Sequence, residues 1–244
     1  MSAVKISIST VGHMPAGLNV KKIKDWSSSV FEICGEIENY SLSCQSDGHN
    51  WEFSDAILEK ALPQKINTDF SVLIVNVPIQ ENWYARRLSS NRVVFSLYQI
   101  KDILSLANIP LENSIFRLLY GYTLLYRRNG NRIPLNSENT NHTHHETRGC
   151  LYDMNGIKSD IIHSCHKPII CTSCIEKISQ QKVSTDTIKK CQAEIQKIQK
   201  ILFYRIADFI KQHPLRSLAF SVFAAVFLGI IGSLSASFIY DWLK

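Results

Sequence analysis

The chain has 244 residues, of which 45% are hydrophobic and 20% are charged, and its formal net charge is +6. This length suits one ordinary domain with accessory segments, and the composition is globular on average. The basic residues are scattered rather than grouped with aromatic residues, which argues against nucleic acid as a partner. The N-terminal segment has no apolar core of signal-peptide length, so we expect a cytoplasmic body whose seven cysteines are thiols or metal ligands.

Residues 1–140 show an alternation of strand and helix patterns. Residues 4–11, VKISISTV, alternate as a half-buried strand. The apolar, β-branched run SVLIVNVPI predicts a central strand that is buried on both faces. The remaining patterns predict strands in ICGEIENYSLSC and NRVVFSLY, and helices in VKKIKDWSSSVFEI, WEFSDAILEKAL, IKDILSLANI and LENSIFRLLYGYTLLY. This order predicts an α/β or α+β layered domain.

Residues 141–180 are rich in potential metal ligands, and we interpret them as a zinc-knuckle segment. Cys171 and Cys174 form a C-x-x-C pair, whose two thiolates can bind one ion. Tetrahedral zinc needs two further ligands. We predict that these are Cys150 and His145, which are separated by four intervening residues. The predicted site is closed and structural, with Zn²⁺ as the cofactor.

Other assignments of these residues stay open at the level of sequence. His144, His163, Cys165 or His166 could supply the fourth ligand instead of His145. The C-x-x-C pair could also be a redox centre, but it lies in a polar, His-rich stretch rather than at the strand-to-helix turn typical of such centres.

The stretch from HHETRGCLYDMNG to IICTSC resembles the C-terminal signature of the archaemetzincins, a family of zinc metallopeptidases. In that family a helix with the motif H-E-x-x-H-x-x-G-x-x-H leads into C-x4-C, and a C-x-x-C pair follows. By this resemblance, His144 falls on the third catalytic histidine and His145 replaces the first structural cysteine. Cys150, Cys171 and Cys174 match the remaining cysteines. Upstream, VVFSLYQIKDIL and SIFRLLYGYTLLY resemble the last strand and the active-site helix of the family.

The helix that resembles the family's active-site helix lacks the residues that catalysis requires. It reads LLYGYTLLY, with Tyr120 and Tyr122 among its side chains, in place of H-E-x-x-H. A catalytic zinc needs three protein ligands, an open coordination position and a general base. His142, His144 and Glu146 lie in a predicted loop, without the i, i+4 pairing of a zinc-binding helix. We therefore predict a metzincin-like body that lacks catalytic residues.

Residues 184–213 predict a helical stalk, with Asp186 as its expected N-cap. The apolar residues alternate at spacings of three and four, as in a short coiled-coil seam: Ile188, Cys191, Ile195, Ile198 and Leu202. A helix that packs its apolar face on the body explains the same spacing equally well.

Residues 215–241 predict a single transmembrane helix, with the lipid bilayer as partner; a buried core helix is the alternative. The uncharged run from Ser217 to Tyr240 is long enough to cross a hydrocarbon core of about 30 Å. Because Lys211 and Arg216 precede this run, we expect its N-terminal end to face the cytoplasm. Small residues at every fourth position form a stripe that favours a homo-oligomer in lipid: Ser221, Ala225, Gly229, Ser233 and Ser237.

Three functions are consistent with this organisation. The first is a non-catalytic, zinc-binding membrane sensor or effector that recognises a protein or small-molecule trigger and self-associates through its transmembrane helix. Its layout resembles that of small bacterial antiviral defence effectors. The second is a membrane-tethered zinc metalloprotease with a non-standard ligand set, which would need a second metal ion. The third is a subunit that only tethers a partner to the membrane.

Overall fold

A computed structural model describes residues 2–63, 67–181 and 183–243 of the chain. The chain divides into two compact units, Met1–Gln199 and Lys200–Lys244. The first unit contains the sheet and the predicted metal ligands, and the second unit is helical. We describe each unit by itself.

The described part of the first unit contains a six-stranded mixed sheet. The strands are β1 (Val4–Val11), β2 (Phe31–Ile33), β3 (Glu38–Tyr40), β4 (Phe70–Val75), β5 (Ala85–Leu88) and β6 (Arg92–Ser96). Their order is β2-β1-β4-β6-β5, and β3 continues beside β1 beyond the end of β2. The pairs are parallel except for β5, which runs antiparallel to β6 at the edge. The predicted layered α/β architecture is therefore confirmed.

The central strand β4 is buried at every position because helices cover both faces of the sheet. Phe70, Val72 and Ile74 pack into one core cluster, which also contains most of the apolar side chains of the longest body helix. Leu73 and Val75 point to the opposite face, into a second cluster. The alternation of side chains along a strand thus supplies both hydrophobic layers from one apolar run, and the predicted central strand is confirmed.

Seven helices are described in the first unit. They are α1 (Val20–Lys24), α2 (Asp55–Ala61), α3 (Ile100–Leu106), α4 (Leu111–Arg128), α5 (Ile161–Ser164), α6 (Thr172–Gln180) and α7 (Thr185–Ile195). Helix α4 is the longest, and nearly all of its residues are buried because it lies between the sheet and the other helices. This position explains why its sequence is apolar on more than one face.

Three predictions for the body differ from the structure. The strand β1, predicted to be half-buried, is buried at every position except Lys5, because it lies inside the sheet between β4 and the strands β2 and β3. The helix predicted in VKKIKDWSSSVFEI ends at Lys24, because the serines that follow bind a carboxylate elsewhere in the fold and the chain then enters β2. The strand β5 was not predicted. Its sequence, ARRL, lacks an apolar alternation, because an edge strand needs only partial burial.

The predicted stalk is interrupted, and its first half belongs to the body. Helix α7 ends at Ile195, and α8 (Leu202–Gln212) begins in the second unit. The apolar residues of α7 are buried in the core cluster of the body, together with Ile198. The structure therefore shows the alternative in which this helix packs on the body. Ser184, rather than Asp186, is the N-cap, and its hydroxyl accepts a hydrogen bond from the backbone N–H of Thr187.

Glu194 near the end of α7 joins this helix to the N-terminal part of the body. Its carboxylate accepts hydrogen bonds from the hydroxyl of Ser28 at 2.6 Å, the backbone N–H of Ser29 at 2.8 Å and the hydroxyl of Tyr120 at 2.7 Å. The Ser29 hydroxyl also donates to it. Burial acts to raise the pKa of Glu194, but these hydrogen bonds outweigh burial and lower it.

The second unit contains α8 and the 29-residue helix α9 (Pro214–Trp242). By length and composition, α9 is long and apolar enough to cross a membrane, and none of its described residues is buried in the structure. Helix α8 is amphipathic, with an exposed apolar face that includes Phe203, Ile206 and Phe209.

Candidate metal centre and adjoining cleft

Four side chains of the knuckle segment converge on one point. The imidazole of His144 and the thiols of Cys150, Cys171 and Cys174 each offer one ligand atom, and these atoms all lie within 4.8 Å of one another. Tetrahedral zinc with bonds of about 2.3 Å to sulfur places its ligand atoms about 3.8 Å apart. The group therefore fits a Zn²⁺ ion after a small contraction, and a Cys₃His set is a closed, structural type of site.

The histidine in this group is His144, whereas the predicted fourth ligand, His145, lies outside the group. A short bridge fixes the backbone of His144, which donates to the carbonyl of Tyr152 at 3.1 Å and accepts from Met154 N–H at 3.0 Å. Successive side chains of extended backbone point to opposite sides. His144 consequently faces the three cysteines, whereas His145 is exposed to solvent.

The backbone around Cys150 is built by a glycine turn. Gly149 has φ of +72°, and a Cβ at this position would lie 3.0 Å from the carbonyl oxygen of His163, so a larger residue would not fit there. On either side of Cys150, Leu151 N–H donates to Ile169 at 2.9 Å and Ile169 N–H donates to Gly149 at 2.9 Å. These bonds hold the Cys150 turn against the segment that leads to the C-x-x-C pair.

The C-x-x-C pair lies at the start of α6, where Cys171 is the N-cap residue and Cys174 lies in the first turn. The thiol of Cys174 donates to the sulfur of Cys150, and the backbone N–H groups of Cys171 and Tyr152 add hydrogen bonds at 3.4 and 3.5 Å. These donors hold the pKa of Cys150 well below its ordinary value. The site is thus prepared for thiolate, which is the form of cysteine that binds a metal.

A hydrogen bond at Nδ1 orients the His144 ring. Nδ1 lies 2.9 Å from the carbonyl oxygen of Glu146, and Nε2 lies 3.5 Å from the Cys171 sulfur. With the proton on Nδ1 and donated to that carbonyl, Nε2 keeps its lone pair for a metal. Buried Asp153 supports the same loop, since its carboxylate accepts the N–H groups of Arg148 and Cys150 at 3.0 Å each.

The other candidate ligands lie outside the group. His163 is exposed, and His166 is only partly buried. Cys165 is buried in a different cluster, where burial raises the pKa of its thiol to about 12. Asp153 was not identified from the sequence, because a carboxylate that binds backbone N–H groups leaves no spacing pattern.

A cleft of about 370 Å³ adjoins the metal centre. One face of α4, the edge strand β5 and two short segments of the knuckle, residues 142–143 and 151–154, form its walls. The polar and aromatic side chains that line it include Tyr84, Arg86, Arg87, Arg117, Tyr122 and His142. The knuckle therefore has two roles in the fold: it carries the metal ligands and it closes one side of the cleft.

Burial shifts the pKa values of two side chains in the cleft. Burial, together with the nearby Arg87 and Arg128, lowers the pKa of His142 to about 3, so this ring is neutral at physiological pH. Burial also raises the pKa of the Tyr122 hydroxyl to about 12. Glu146, the carboxylate considered for catalysis, is exposed and forms an ion pair with Arg148 at 3.0 Å.

Comparisons with known proteins are sparse. No protein-family profile matches the chain, and no curated protein matches its sequence. Among solved structures, the chain is similar to the crystal structure of an archaemetzincin from Methanopyrus kandleri, with 14% sequence identity and a TM-score of 0.46. The match covers 73% of this chain and 95% of that chain. At this level of similarity the chain is not assigned to the family.

Proposed function

We propose that this chain is a membrane-anchored, zinc-binding sensor or effector whose body binds a ligand rather than cleaving a substrate. The observation that carries the proposal is the closed Cys₃His group. Four protein ligands fill a tetrahedral zinc and leave no position for the water that a metallopeptidase activates. The zinc of this chain therefore stabilises the knuckle, and through it one wall of the cleft.

Helix α9 supports the membrane part of the proposal. Its 29 residues exceed the roughly 20 that a bilayer core requires. The basic residues Lys211, shortly before α9, and Arg216, in its first turn, favour a cytoplasmic body. Tyr240 and Trp242 suit the opposite headgroup layer. The exposed apolar face of α8 suits the near interface, where amphipathic helices lie in the plane of the membrane.

Metal analysis of the full chain in detergent tests the proposal. We expect one zinc per chain, and removal of zinc by a strong chelator should unfold the body, because binding free energy at a structural site is folding free energy. Cys174→Ser should release zinc and lower the melting temperature. Cys34→Ser, at a half-buried thiol outside the metal group, is the matched control and should change neither.

Two results would replace the proposal. Two zinc ions per chain, one of them removed by mild chelation with loss of peptide cleavage, would favour the membrane-tethered metalloprotease. A chain that leaves the membrane fraction in low-detergent buffer would exclude the anchor and point to α9 as a helix buried in an assembly.

A further inference from the structure

Arg117 of α4 is a buried cation without a carboxylate partner. It is 4% exposed, its Nη2 donates only to the backbone carbonyl of Asp153 at 3.1 Å, and its Nε has no hydrogen-bond partner among the described residues. Its guanidinium lies 5.6 Å from the centre of the Tyr84 ring, which contributes a cation–π contact. A buried charge with so few partners is costly unless a counter-ion compensates it.

Arg87 of the edge strand β5 is a second cation in the same cleft that forms no ion pair with a described carboxylate. Its guanidinium lies 3.4 to 3.5 Å from neutral acceptors only, which belong to Asn136, Thr140 and the backbone of Glu138. Among the described residues, no carboxylate lies within 4.0 Å of either Arg87 or Arg117. By contrast, the neighbouring Arg86 forms an ion pair with Asp55 at 2.6 Å.

Among the described residues, the acidic side chains of the cleft form no ion pair with these two arginines. Glu81 lies 3.9 Å from Arg86 and accepts a hydrogen bond from the indole of Trp83 at 3.1 Å. Asp153 turns its carboxylate toward the metal loop and His144. The cleft therefore presents two positive groups to whatever enters it.

The apolar part of the cleft is aromatic. Tyr122 projects from α4 into the cleft, and its hydroxyl forms no hydrogen bond with any described residue. Trp83 and Tyr152 also line the walls. Flat rings of this kind stack on planar heterocycles. The volume of about 370 Å³ is within the range of small-molecule sites.

We propose that this cleft binds a phosphorylated small molecule with a planar ring, the chemistry of a nucleotide, whose phosphate neutralises Arg87 and Arg117 and whose ring packs on the aromatic wall. Guanidinium groups bind phosphate through paired, charge-assisted hydrogen bonds. The inference rests on the proposed function of the body as a binding module and names the class of its ligand.

Binding in the cleft also depends on the knuckle. The hydroxyl of Tyr84 donates to the carbonyl of Met154 at 3.2 Å, and Arg117 donates to that of Asp153 at 3.1 Å. Both contacts hold the wall that the metal loop forms. Loss of zinc should therefore loosen this wall and weaken ligand binding without any contact between ligand and metal.

Titration calorimetry on the full, zinc-loaded chain in detergent tests the inference, with AMP and pyrophosphate as probes and adenosine as the uncharged control. We expect saturable binding of AMP and pyrophosphate and none of adenosine alone.

Arg87→Gln should weaken AMP binding at least about tenfold, the effect of losing a charge-assisted contact. Lys190→Gln is the matched control, because Lys190 is exposed and pairs with Asp186 on α7, outside the cleft. Arg117→Lys keeps the buried charge but loses the planar fork, and should weaken AMP binding while the chain stays folded.

Several outcomes would overturn the inference. These are no saturable binding of either phosphate probe up to about 10 mM, equal AMP binding by the wild type and Arg87→Gln, and tighter binding of citrate than of AMP. Tight binding of a neutral capped peptide in place of AMP would identify β5 as a docking edge for extended chains. Zinc content is measured on the same samples. A chain with one zinc and no phosphate binding contradicts only this inference, whereas a chain without zinc contradicts the proposed function.

Discussion

Single residues decide the chemistry of the metal centre. The three cysteines could be predicted from sequence, because a C-x-x-C pair and a third thiol have few other uses in a polar, His-rich segment. The histidine could not, since His144 and His145 are adjacent and only the bridge with Asp153 determines which ring points inward. The cleft arginines were missed for a similar reason: nothing in the sequence distinguishes a buried arginine without a partner from a surface one.

Exchange of either histidine for alanine should separate the two assignments. His144→Ala should lower the affinity for zinc by at least about 100-fold, because a direct ligand matters no less than the outer-shell groups that cost 10- to 100-fold. His145→Ala should retain the metal, because that side chain is exposed and outside the group. The zinc-to-protein ratio after dialysis against a mild chelator measures both. Retention of zinc by His144→Ala together with its loss from His145→Ala would restore the original prediction.

Elements were predicted well where burial alone determined them and poorly where two environments suit the same pattern. The strand β4 follows from an apolar, β-branched run that allows one interpretation, whereas the alternation in β1 predicted a strand and not its burial on both faces. The spacing of apolar residues in α7 suits either a coiled coil or a helix docked on the body, because both bury the same stripe. Glu194, a polar residue outside the stripe, adds contacts with Ser28, Ser29 and Tyr120 that the docked helix makes with the body.

Removal of this carboxylate should weaken the docking of α7. Glu194→Ala leaves partly buried donors unpaired and should lower the free energy of unfolding by roughly 1–3 kcal/mol, measured by urea unfolding. Since the pKa of Glu194 is lowered from 4.5, its stabilisation is present above that pH and declines as the pH falls below it. The variant should lose that part of the acid dependence. Asp186→Ala, in an exposed i, i+4 pair on the same helix, should change stability by at most about 0.5 kcal/mol. Equal effects of the two substitutions would contradict the role of Glu194.

At the scale of the whole molecule, a layered α/β unit is joined to a helical unit whose long helix buries none of its described residues. The sequence predicts this division because the uncharged run is too long for an ordinary core helix. Self-association through the small-residue stripe stays a prediction, because the structure contains a single chain. The hydroxyls of Ser221 and Ser237 already donate to backbone carbonyls one turn earlier, so the stripe needs no polar partner.

Substitutions on the stripe should test self-association. Gly229→Leu with Ser233→Leu keeps the helix apolar enough to insert, but bulky side chains would separate backbones that pack closely. We expect this double variant to remain in the membrane and to lose higher oligomers in crosslinking and in detergent sedimentation. Val226→Leu with Ile230→Leu, off the stripe, is the matched control and should keep the oligomers. Identical oligomers in both variants would leave the helix as a passive anchor.

The docking of α7 also has a consequence for the order in which the body assembles. The bonds of Glu194 to Ser28 and Ser29 close a loop of more than 160 residues, the longest separation among the described side-chain hydrogen bonds. Contacts so distant along the chain form slowly, because a large loss of chain entropy precedes them. We therefore expect the sheet and α4 to fold first and α7 to join in a late kinetic phase. The same helix should be among the first segments to exchange its amide protons when the native body opens locally.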